Sequence, residues 1–402
     1  MINPLRGMKD TIDEASQRYT YFIENCSRIA KNYGFSFIET PILEETALFK
    51  RSVGESSDIV GKEMYQFIDK GGNDVCMRPE GTAGVVRAFI SAKFDKAGGV
   101  KRFFYHGPMF RYERPQKGRL RQFHQFGAET FGEYSVKEDA MIILMLQEIF
   151  DFFGIKTKLL LNSLGCKECM PPYREKLVQF LDKTEGLCED CLRRKETNPI
   201  RVLDCKNETC QNLLQNAPML SENLCESCQS DFSELKTILD RFDVSYEVDT
   251  KLVRGLDYYN KTAFEFISDE IGAQSAIAGG GRYDRLVEFL DGKPTAGIGF
   301  AMGVERLLDL IQMPDTLRDG FYICALCEEA SEKVMQLVIK KRKSNVVHTN
   351  YEAKSLKAHL KAADKSGVKE FVCIGEDELK NGQVWIKNLE TKEERTLAFE
   401  QF

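Results

Sequence analysis

The sequence predicts an α+β fold divided into several domains, and three observations lead to this. Arg102 to Glu113 and Gln122 to Phe131 are runs of alternating residues on either side of a polar turn, which predicts a long antiparallel hairpin. A polar, cysteine-rich segment interrupts the strand and helix patterns in the middle of the chain. The last part, Gly320 to Phe402, alternates strand and helix patterns, as expected of a small α/β domain. With 402 residues, the chain is long enough for about two to four domains.

Composition limits the classes of protein to consider. The chain is 43% hydrophobic and 29% charged, and no apolar stretch approaches the ~20 residues of a membrane helix. The N-terminal residues MINPLRGMKD lack the apolar core of a signal peptide, so we expect a cytoplasmic protein. The formal net charge of −6 argues against indiscriminate binding of nucleic acids, but it allows a specific RNA partner that docks on local basic patches.

The N-terminal part begins with a predicted helix and strand. Apolar residues recur at helical spacing from Ile12 to Tyr33, and Gly34 is the expected end of that helix. The strand-like residues FSFIET follow, up to Pro41. Met64 to Asp69 and Val75 to Pro79, joined by turn residues, predict a hairpin.

Helices and strands continue on both sides of the basic hairpin. Glu80 opens a predicted helix that ends near Ala92, and the apolar residues of Val136 to Ile155 predict a core helix. Leu159 to Leu161 has the pattern of a buried strand. Two later strand patterns are Tyr246 to Val253 and Tyr258 to Ile267.

Two glycine-containing runs, AIAGGGRYDRLVEFL and AGIGFAMGVERLLDLI, each pass from small residues into an amphipathic helix pattern. A polar link with proline, Met313 to Asp319, precedes the terminal unit. We therefore predict a core in two parts, 1–161 and 239–318, an insertion at 162–238, and a terminal domain at 319–402.

The hairpin loop carries a strong positive charge. Seven basic residues lie between Lys101 and Arg121, with Glu113 as the single acid. A positive region inside an acidic protein predicts a bound polyanion, and the alternative is a solvated surface hairpin.

Arg111 and Glu113 are two residues apart, so both would lie on one face of an extended strand. A guanidinium makes bidentate, charge-assisted bonds to phosphate oxygens and stabilises the charge that develops when a phosphate is attacked. A neighbouring glutamate can accept a hydrogen bond from an exocyclic amine such as that of adenine. The alternative is a cross-strand salt bridge, and the phosphate interpretation gains specificity from Arg306 at a glycine-rich helix start.

Together these stretches resemble the class II aminoacyl-tRNA synthetase family and, within it, the histidyl-tRNA synthetases. The long helix, the strand and Pro41 are similar to motif 1, which forms the dimer interface in that class. Phe110 to Glu129 is similar to motif 2, and Gly297 to Leu308 is similar to motif 3. Two further stretches resemble signatures of the histidine enzymes, Arg254 to Asn260 (RGLDYYN) and Ala278 to Asp284 (AGGGRYD).

The resemblance covers nearly the whole chain and implies a fold and an assembly. The fold is a class II antiparallel sheet with flanking helices, interrupted by the cysteine-rich insertion. The terminal unit would be an α/β anticodon-binding domain, and the protein would be a homodimer.

The resemblance also implies catalytic and ATP-binding residues. Arg111 and Arg306 correspond to the arginines of the family that bind ATP and promote the reaction, and Glu113 and Arg119 would contact the nucleotide. Arg254 would lie beside the α-phosphate and the substrate carboxylate. Because a guanidinium cannot act as a proton-transfer base, its expected role is electrostatic and positional.

For histidine, the resemblance implies that Glu80, Thr82 and Gln125 hold the α-amino group and the carboxylate. A neutral imidazole carries one N–H donor and one acceptor nitrogen, so a selective pocket needs an acceptor and a donor on opposite sides. Glu129 and Tyr259 supply that pair. The further histidine-binding residue is Tyr258, and the alternative for both tyrosines is an ordinary place in a strand.

The glycines Gly279 to Gly281 lack the spacing of dinucleotide-binding and P-loop motifs. We interpret them as residues that allow a close backbone approach around histidine or adenosine, with Tyr283 nearby. Tight packing within the protein is the alternative.

The implied reaction has two steps. Histidine attacks the α-phosphate of ATP to give histidyl-adenylate and pyrophosphate, and a terminal ribose hydroxyl of the tRNA then takes the acyl group. Mg²⁺ is expected to bridge ATP oxygens, because it favours phosphate ligands.

Contacts with tRNA are expected at two places. Arg114 and Gln116, in the hairpin loop, are candidates for the acceptor end. Lys354, Lys357 and Lys361 recur with Lys365 at helical spacing in the terminal domain and would share one helix face that meets the anticodon stem. A solvated helix face is the alternative.

The insertion contains four cysteine pairs. Their spacing, in a chain expected to lie in a reducing compartment, is typical of tetrahedral Zn²⁺ held by two pairs per site, but the spacing leaves open which pairs combine. Buried free thiols are the alternative. The pairs are Cys166 and Cys169, Cys188 and Cys191, Cys205 and Cys210, and Cys225 and Cys228.

Two other functions compete with histidine activation. A non-catalytic relative, such as the synthetase-like regulatory subunit of histidine biosynthesis, would be expected to lack Arg254 and the terminal domain, and both are present. A class II enzyme for another amino acid is disfavoured by the pair Glu129 and Tyr259.

Overall fold

A computed structural model describes residues 2–54, 57, 59–116, 118–203, 205, 207–253, 256, 258–271, 276–313 and 318–402. The chain forms two compact units, Met1–Gln312 and Met313–Phe402. The predicted link at Met313 to Asp319 falls partly outside the described residues.

Helices and short helical turns are distributed through both units. The α-helices are α1 (Asp13–Asn32), α2 (Thr46–Val53), α3 (Thr82–Ser91), α4 (Phe94–Ala97), α5 (Val136–Phe152), α6 (Met170–Asp182), α7 (Glu189–Thr197), α8 (Glu208–Leu213), α9 (Glu226–Arg241), α10 (Leu286–Phe289), α11 (Val304–Leu308), α12 (Ser331–Lys341), α13 (Leu356–Lys365) and α14 (Glu376–Lys380). A π-helical turn spans Ile59–Glu63, and 3₁₀ turns span Pro199–Val202, Leu220–Asn223, Asp269–Ile271 and Glu328–Ala330.

Strands form three sheets. They are β1 (Ser36–Phe37), β2 (Leu43–Glu45), β3 (Gln66–Ile68), β4 (Asp74–Met77), β5 (Lys101–Phe110), β6 (Gln122–Phe131), β7 (Lys158–Ser163), β8 (Tyr246–Val248), β9 (Asn260–Ile267), β10 (Ala276–Arg282), β11 (Gly297–Gly303), β12 (Phe321–Ala325), β13 (Val347–Asn350), β14 (Glu370–Ile374), β15 (Gln383–Asn388) and β16 (Glu394–Ala398).

The main sheet of the first unit has eight strands in the order β1-β5-β6-β11-β10-β9-β7-β8. All neighbours are antiparallel except the parallel pairs β1 with β5 and β7 with β8. Its centre is the predicted long hairpin, in which Phe104 pairs with Ala128 and Phe110 with Gln122. Phe104 and Phe126 stack with ring centroids 5.7 Å apart, so the apolar residues of the hairpin build the core of the sheet.

The predicted hairpin is confirmed, but β5 is shorter than expected. It ends at Phe110, so Arg111 and Glu113 do not share a strand face. The backbone N–H of Tyr112 donates to the carbonyl oxygen of Glu63, 2.7 Å away, which turns the chain from the hairpin toward the π-helical turn. The irregular loop at the end of the sheet therefore carries Arg111, Arg114, Arg119 and Arg121, whereas Lys101 and Arg102 lie on β5.

The predicted helix that begins the chain is confirmed as α1. It ends where expected, because Gly34 adopts a left-handed φ of 82° and residues without a Cβ tolerate that conformation. The core helix is also confirmed as α5, and Ser135 caps its N-terminus by accepting from the N–H of Lys137. The apolar side chains that α5 buries against the sheet include Ile143, Leu146 and Phe150.

Two strand predictions require correction, and two further strands were not predicted. The strand expected from Tyr246 to Val253 is only β8, and Tyr258 and Tyr259 precede β9 instead of lying within it. The glycine-containing parts of both predicted glycine-to-helix runs form strands, β10 and β11, followed by short helices. A glycine is needed at position 280 because a Cβ there would lie 2.9 Å from the Cα of Phe300 on the neighbouring strand. Packing within the protein thus explains Gly280.

The cysteine-rich region between β7 and β8 forms a helical subdomain, α6 to α9. Its buried core includes Tyr173, Leu177 and Leu181 of α6 together with cysteine side chains. A small antiparallel sheet, β2-β4-β3, lies elsewhere in the first unit, and its β3 and β4 confirm the predicted N-terminal hairpin.

The second unit is the predicted small α/β domain. Its sheet has the order β13-β12-β14-β15-β16, with parallel pairing of β12 to β13 and β14 and antiparallel pairing beyond. The helix α13 carries Lys357, Lys361 and Lys365, all exposed. Lys354 precedes this helix and pairs with Glu352 at 2.8 Å, so the expectation that it shares the helix face is wrong. No helix among the described residues of either unit combines the length and apolarity needed to cross a membrane.

Candidate active site

A cavity of about 270 Å³ lies beside the hairpin loop in the first unit. Its walls come from the loop between β5 and β6, the start of α3, strands β6, β9, β10 and β11, and the start of α11. The predicted residues that line it are Glu80, Thr82, Arg111, Glu113, Arg119, Gln125, Tyr258, Tyr259 and Arg306.

Three arginines meet in this cavity. The Nε of Arg306 donates to the carbonyl oxygen of Gly118 at 2.9 Å, and its Nη1 donates to the carbonyl oxygen of Ala276 at 2.6 Å. Burial lowers the pKa of Arg306, and the positive charges of Arg119 and Arg111 lower it further. Three guanidiniums that line one cavity create a site suited to a polyanion.

Arg111 and Arg119 are held in different ways. The Nε of Arg111 donates to the carbonyl oxygen of Pro79 at 2.9 Å, and its guanidinium lies 5.2 Å from the ring centroid of Phe123. Nη1 of Arg119 is 3.5 Å from Oε2 of Glu113. The cavity therefore combines positive charge with an aromatic face at Phe123 and a carboxylate at Glu113, which are groups that can hold the phosphates and the base of a nucleotide.

The opposite wall is the N-terminus of α3. The carboxylate of Glu80 accepts from the backbone N–H groups of Thr82, at 2.6 Å, and Ala83, at 2.9 Å. These bonds satisfy N–H groups that the first turn of a helix leaves without partners. Burial raises the pKa of Glu80, which is only 3% exposed.

Glu129 lies at the base of the site and is fully buried. Its Oε1 accepts from the hydroxyl of Thr82 at 2.7 Å, and its Oε2 accepts from the hydroxyl of Tyr283 at 2.5 Å. The Tyr105 hydroxyl is 3.4 Å from Oε1. Burial raises the pKa of Glu129 to about 8, although the hydroxyls of Tyr283 and Thr82 partly offset this.

Glu129 is absent from the cavity walls formed by the described residues, since Thr82 lies between it and the cavity. Its direct contact with an imidazole stays a prediction.

Apart from Oε2 of Glu113, which faces Arg119, two buried polar atoms in the site lack hydrogen-bond partners among the described residues. They are Oε1 of Gln125 and the hydroxyl oxygen of Tyr258, and both side chains line the cavity. Leaving a buried polar group without a hydrogen bond costs about 1–3 kcal/mol. A polar ligand in the cavity would satisfy both atoms.

The tyrosines form an aromatic wall next to these atoms. The ring centroids of Tyr258 and Tyr259 are 4.6 Å apart, and that of Tyr283 lies 5.8 Å from Tyr258. Tyr259 is half-buried and lines the cavity.

The other predicted site residues that the structure describes do not line this cavity. Arg254 lies outside the described residues. Arg114 and Gln116 are exposed on the loop, where the backbones of Gln116 and Arg119 exchange hydrogen bonds of 3.1 and 2.9 Å. The predicted tRNA-contacting lysines belong to the second unit.

The sequence-based prediction missed Phe123, Tyr105 and Glu265. Phe123 and Glu265 line the cavity, and Phe123 could have been found because it lies two residues before Gln125 on β6, on the same face of the strand. The ring of Tyr105 fits beneath the site because the neighbouring positions 81 and 127 are glycines. A Cβ atom added at either position would clash with this ring. That relationship joins distant parts of the chain and has no local sequence signal.

The eight cysteines of the insertion form two groups of four. In each group the sulfur atoms lie within 4.8 Å of one another. We call the first group the outer cluster, because its members enclose the other group in the sequence, and the second the inner cluster. The outer cluster is Cys166, Cys169, Cys225 and Cys228, and the inner cluster is Cys188, Cys191, Cys205 and Cys210.

Backbone N–H groups point at the sulfur atoms. The N–H of Cys225 donates to Sγ of Cys169 at 3.1 Å, and the N–H of Cys188 donates to Sγ of Cys210 at 3.3 Å. Burial raises the pKa of the Cys166 thiol, but backbone N–H groups of Glu168 and Cys169 outweigh it and lower that pKa to about 7. All 13 cysteines lie in the described residues, and none of them forms a disulfide. Four sulfurs held together without disulfides fit a tetrahedral metal ion.

Comparison with known proteins gives concordant results. A family model described as histidyl-tRNA synthetase matches residues 7–307, and one described as an anticodon binding domain matches residues 320–402. The histidine–tRNA ligase of Sulfurimonas denitrificans is 64% identical over 403 residues and covers 100% of both chains. That of Campylobacter fetus is 64% identical over 400 residues, 99% of this chain and 98% of the relative.

Solved structures extend the similarity to the fold. The apo histidyl-tRNA synthetase of S. aureus has a TM-score of 0.83 and 33% identity, covering 100% of this chain and 98% of its own. An ATP phosphoribosyltransferase regulatory subunit/histidyl-tRNA synthetase from Bacillus halodurans C shares the fold, with a TM-score of 0.66, 19% identity, and coverage of 93% and 98%.

Proposed function

Because the chain belongs to the histidyl-tRNA synthetase family, we propose that the cavity beside the hairpin loop is where it attaches L-histidine to tRNA. Histidine and ATP give histidyl-adenylate and pyrophosphate, and a terminal ribose hydroxyl of the tRNA then takes the histidyl group and releases AMP. The observation that carries this assignment is the pair of unpartnered polar atoms on Gln125 and Tyr258 next to three converging arginines. An amino acid and a polyphosphate would satisfy these two parts of the cavity together.

Arginine side chains would make most of the contacts with ATP. Arg111 and Arg306 stabilise the negative charge that develops at the α-phosphate, and Arg119 with Glu113 holds the nucleotide. The adenine base would stack on the ring of Phe123. Arg254 completes the set next to the α-phosphate, where its fixed positive charge favours attack by the histidine carboxylate.

For histidine, the groups at the start of α3 bind the backbone of the amino acid. Glu80 attracts the α-ammonium group, and Gln125 and Thr82 supply hydrogen bonds. Tyr258, Tyr259 and Glu129 select the imidazole. A site whose polar groups need partners rejects analogues that lack them by roughly 10⁴ to 10⁵.

We propose that Mg²⁺ enters with ATP. Carboxylates of Glu113 and Glu265 line the cavity, and such oxygens suit this ion. The ion would neutralise charge on the phosphates, while the residues named above position the reactants.

Amino-acid-dependent exchange of pyrophosphate into ATP tests the function. Histidine is expected to support exchange, and the other standard amino acids are not. Exchange with another amino acid, or none with any, would refute the assignment and would favour a different class II enzyme or a regulatory relative. In the active protein, Arg254→Ala is expected to abolish exchange with little change in unfolding temperature.

We further propose that both cysteine clusters hold structural Zn²⁺. Each offers four sulfurs, and N–H groups directed at sulfur stabilise thiolates. Two ions would tie together segments of α6 to α9 that lie far apart in the sequence.

We propose that the protein is a homodimer. Large apolar side chains near the start of the main sheet are exposed, with Phe37 47%, Ile42 41% and Leu43 49% accessible. They lie in the motif 1 region, where a second copy would cover them. Sedimentation analysis is expected to give twice the chain mass, and Ile42→Lys is expected to shift it toward the monomer; a monomeric wild type would contradict the proposal.

We infer four functional segments, a catalytic core at 1–161 and 239–318, an insertion at 162–238 and an anticodon-binding domain at 319–402, in a cytoplasmic protein. Arg114 and Gln116 are proposed to meet the acceptor end of tRNA, because both are exposed on the loop beside the cavity. Lys357 and Lys361 on α13, with Lys354 before it, are proposed to meet the anticodon stem. Charge reversal at Lys357 and Lys361 is expected to raise KM for tRNA without changing pyrophosphate exchange, and an unchanged KM would remove them from the interface.

A further inference from the structure

The outer cysteine cluster lies directly beyond the ladder that joins β7 to β9. The N–H of Leu164 donates to the carbonyl oxygen of Lys261 at 2.6 Å. The N–H of Lys261 donates to the carbonyl oxygen of Gly165 at 2.7 Å. Cys166 is the next residue. Lys261, in turn, lies two residues after Tyr259 of the cavity wall. The cluster and the tyrosines are thus linked by a short, fully hydrogen-bonded piece of backbone.

Both partners of this link have unusual backbone conformations. Gly165 has a φ of 64°, and a Cβ on it would lie 2.7 Å from the Cβ of Cys169. Lys261 has a φ of 50°, although it is not a glycine. A side-chain-bearing residue keeps such a conformation only when its surroundings hold it there.

The Lys261 side chain supplies one such restraint. Its Nζ lies 3.0 Å from Oδ2 of Asp231 on α9, and its side chain is 26% exposed. Asp231 is three residues after Cys228, so it lies about one turn further along the helix that carries half of the outer cluster. The pair therefore connects α9 of the insertion with the start of β9.

Tyr259 lies between the two cores of this region. It packs against the buried cluster of the insertion, which includes Leu164 and Cys169, and also against the buried cluster of the cavity, which includes Tyr258 and Tyr283. A shift of the insertion would consequently move a wall of the cavity.

We propose that Lys261 is a positioning residue, through which the outer cluster fixes Tyr258 and Tyr259 in the geometry that binds the amino acid. This inference rests on the proposed function, because it assigns the tyrosines to histidine binding. The inner cluster has no such link, since the described ladder residues adjoin only Cys166. The insertion would thereby set the affinity for histidine from outside the cavity.

Single substitutions at the ion pair test the proposal. Lys261→Met and Asp231→Asn each remove the pair but change the net charge in opposite directions. If the pair acts by position, both raise the KM for histidine in pyrophosphate exchange by about tenfold, with KM for ATP changed less than about twofold. If only the electric field near the cavity matters, the two substitutions shift KM in opposite directions.

A matched control is available in the same insertion. Lys195 Nζ lies 2.7 Å from Oδ1 of Asp182, on helices away from β9, and its side chain is 25% exposed. Lys195→Met should leave KM for histidine unchanged. Hydrogen exchange gives an independent measurement, since amides of residues 258–263 should exchange faster in Lys261→Met than in Lys195→Met.

The outcomes separate the two proposals. Loss of histidine-dependent exchange in the wild-type protein would overturn the function itself. An active wild type in which Lys261→Met and Lys195→Met have the same KM for histidine and the same exchange at 258–263 would overturn the positioning role alone. A Lys261→Met/Asp231→Asn double variant no worse than either single variant would support action through one shared contact.

Discussion

Arg306 donates from Nε to the carbonyl oxygen of Gly118 at 2.9 Å, so the start of α11 holds the basic loop in place. A nucleotide that binds both Arg306 and Arg119 would therefore meet two side chains that are already positioned next to each other. Because Arg306 is proposed to stabilise charge that develops in the reaction, Arg306→Ala is expected to lower kcat/KM for pyrophosphate exchange by roughly 10²- to 10³-fold. Arg285→Ala serves as the control, since that arginine is half exposed and lies outside the cavity walls; equal losses in the two variants would argue against the role of Arg306.

Glu129 gives a prediction about pH. Its pKa is raised in the folded protein to about 8, above its unfolded value of about 4.3, so the folded state binds more protons between these values. The contribution of this group to stability is therefore complete below about pH 4 and is lost as pH rises through about 8. Glu129→Gln is expected to flatten the fall in unfolding free energy between pH 6 and 9, as measured by urea denaturation, while histidine binding is lost. An unchanged slope would mean that Glu129 is ionised throughout this range.

Gly127 is predicted to be essential for packing beneath the site. A Cβ there would lie 2.8 Å from the carbonyl oxygen of Phe300 and would clash with the ring of Tyr105. Gly127→Ala is expected to lower the free energy of unfolding by about 1–3 kcal/mol, as overpacking does. It is also expected to weaken histidine binding, which calorimetry would measure. Gly61→Ala is the comparison, because none of the described residues lies within 4 Å of the added Cβ. Similar stability in both variants would show that the sheet adapts at little cost.

Arg282 and Asp139 form a buried ion pair, with Nη2 and Oδ1 2.6 Å apart and exposures of 2% and 0%. Arg282→Met leaves the carboxylate of Asp139 without its charged partner, and such losses cost about 3–5 kcal/mol. Urea denaturation should reveal this loss. For Arg285→Met the expected loss of stability is below about 1 kcal/mol, since the ion pair of Arg285 with Glu288 is exposed. Comparable stabilities of the two variants would rule out a structural role for the buried pair.

The cysteine clusters predict a metal content. Protein purified without chelators is expected to contain two zinc ions per chain, and Cys210→Ser, which affects only the inner cluster, is expected to contain about one. Removal of zinc should lower the unfolding temperature, because the proposed ions would hold α6 to α9 together. Finding no zinc by elemental analysis of the wild type would exclude the metal and leave eight free thiols.

Local sequence patterns were sufficient to predict much of the fold. The hairpin of β5 and β6, the helix α1 with Gly34 at its end, and α5 were all predictable, because alternation, helical spacing and glycine conformation are properties of neighbouring residues. The glycine run at Gly280 was not recognised as a strand. Its requirement for glycine comes from Phe300 on another strand, which no local pattern records.

The site divides in the same way. The motifs named Arg111, Gln125 and Arg306, which the fold brings to one cavity. The burial of Glu129 behind Thr82 depends on a helix 47 positions away in the sequence, and so does its raised pKa. The combination of the cysteine pairs is likewise a matter of tertiary structure, because each spacing is compatible with several partners.

That combination determines the order in which the insertion can be completed during synthesis. The inner cluster is finished once the ribosome has made Cys210, whereas the outer cluster waits for Cys225 and Cys228. A metal ion arriving early would therefore find the inner four sulfurs first, and Cys166 and Cys169 would remain without their partners until α9 has emerged. With both proposed ions bound, the growing chain would fix the inner cluster before α9 completes the outer one.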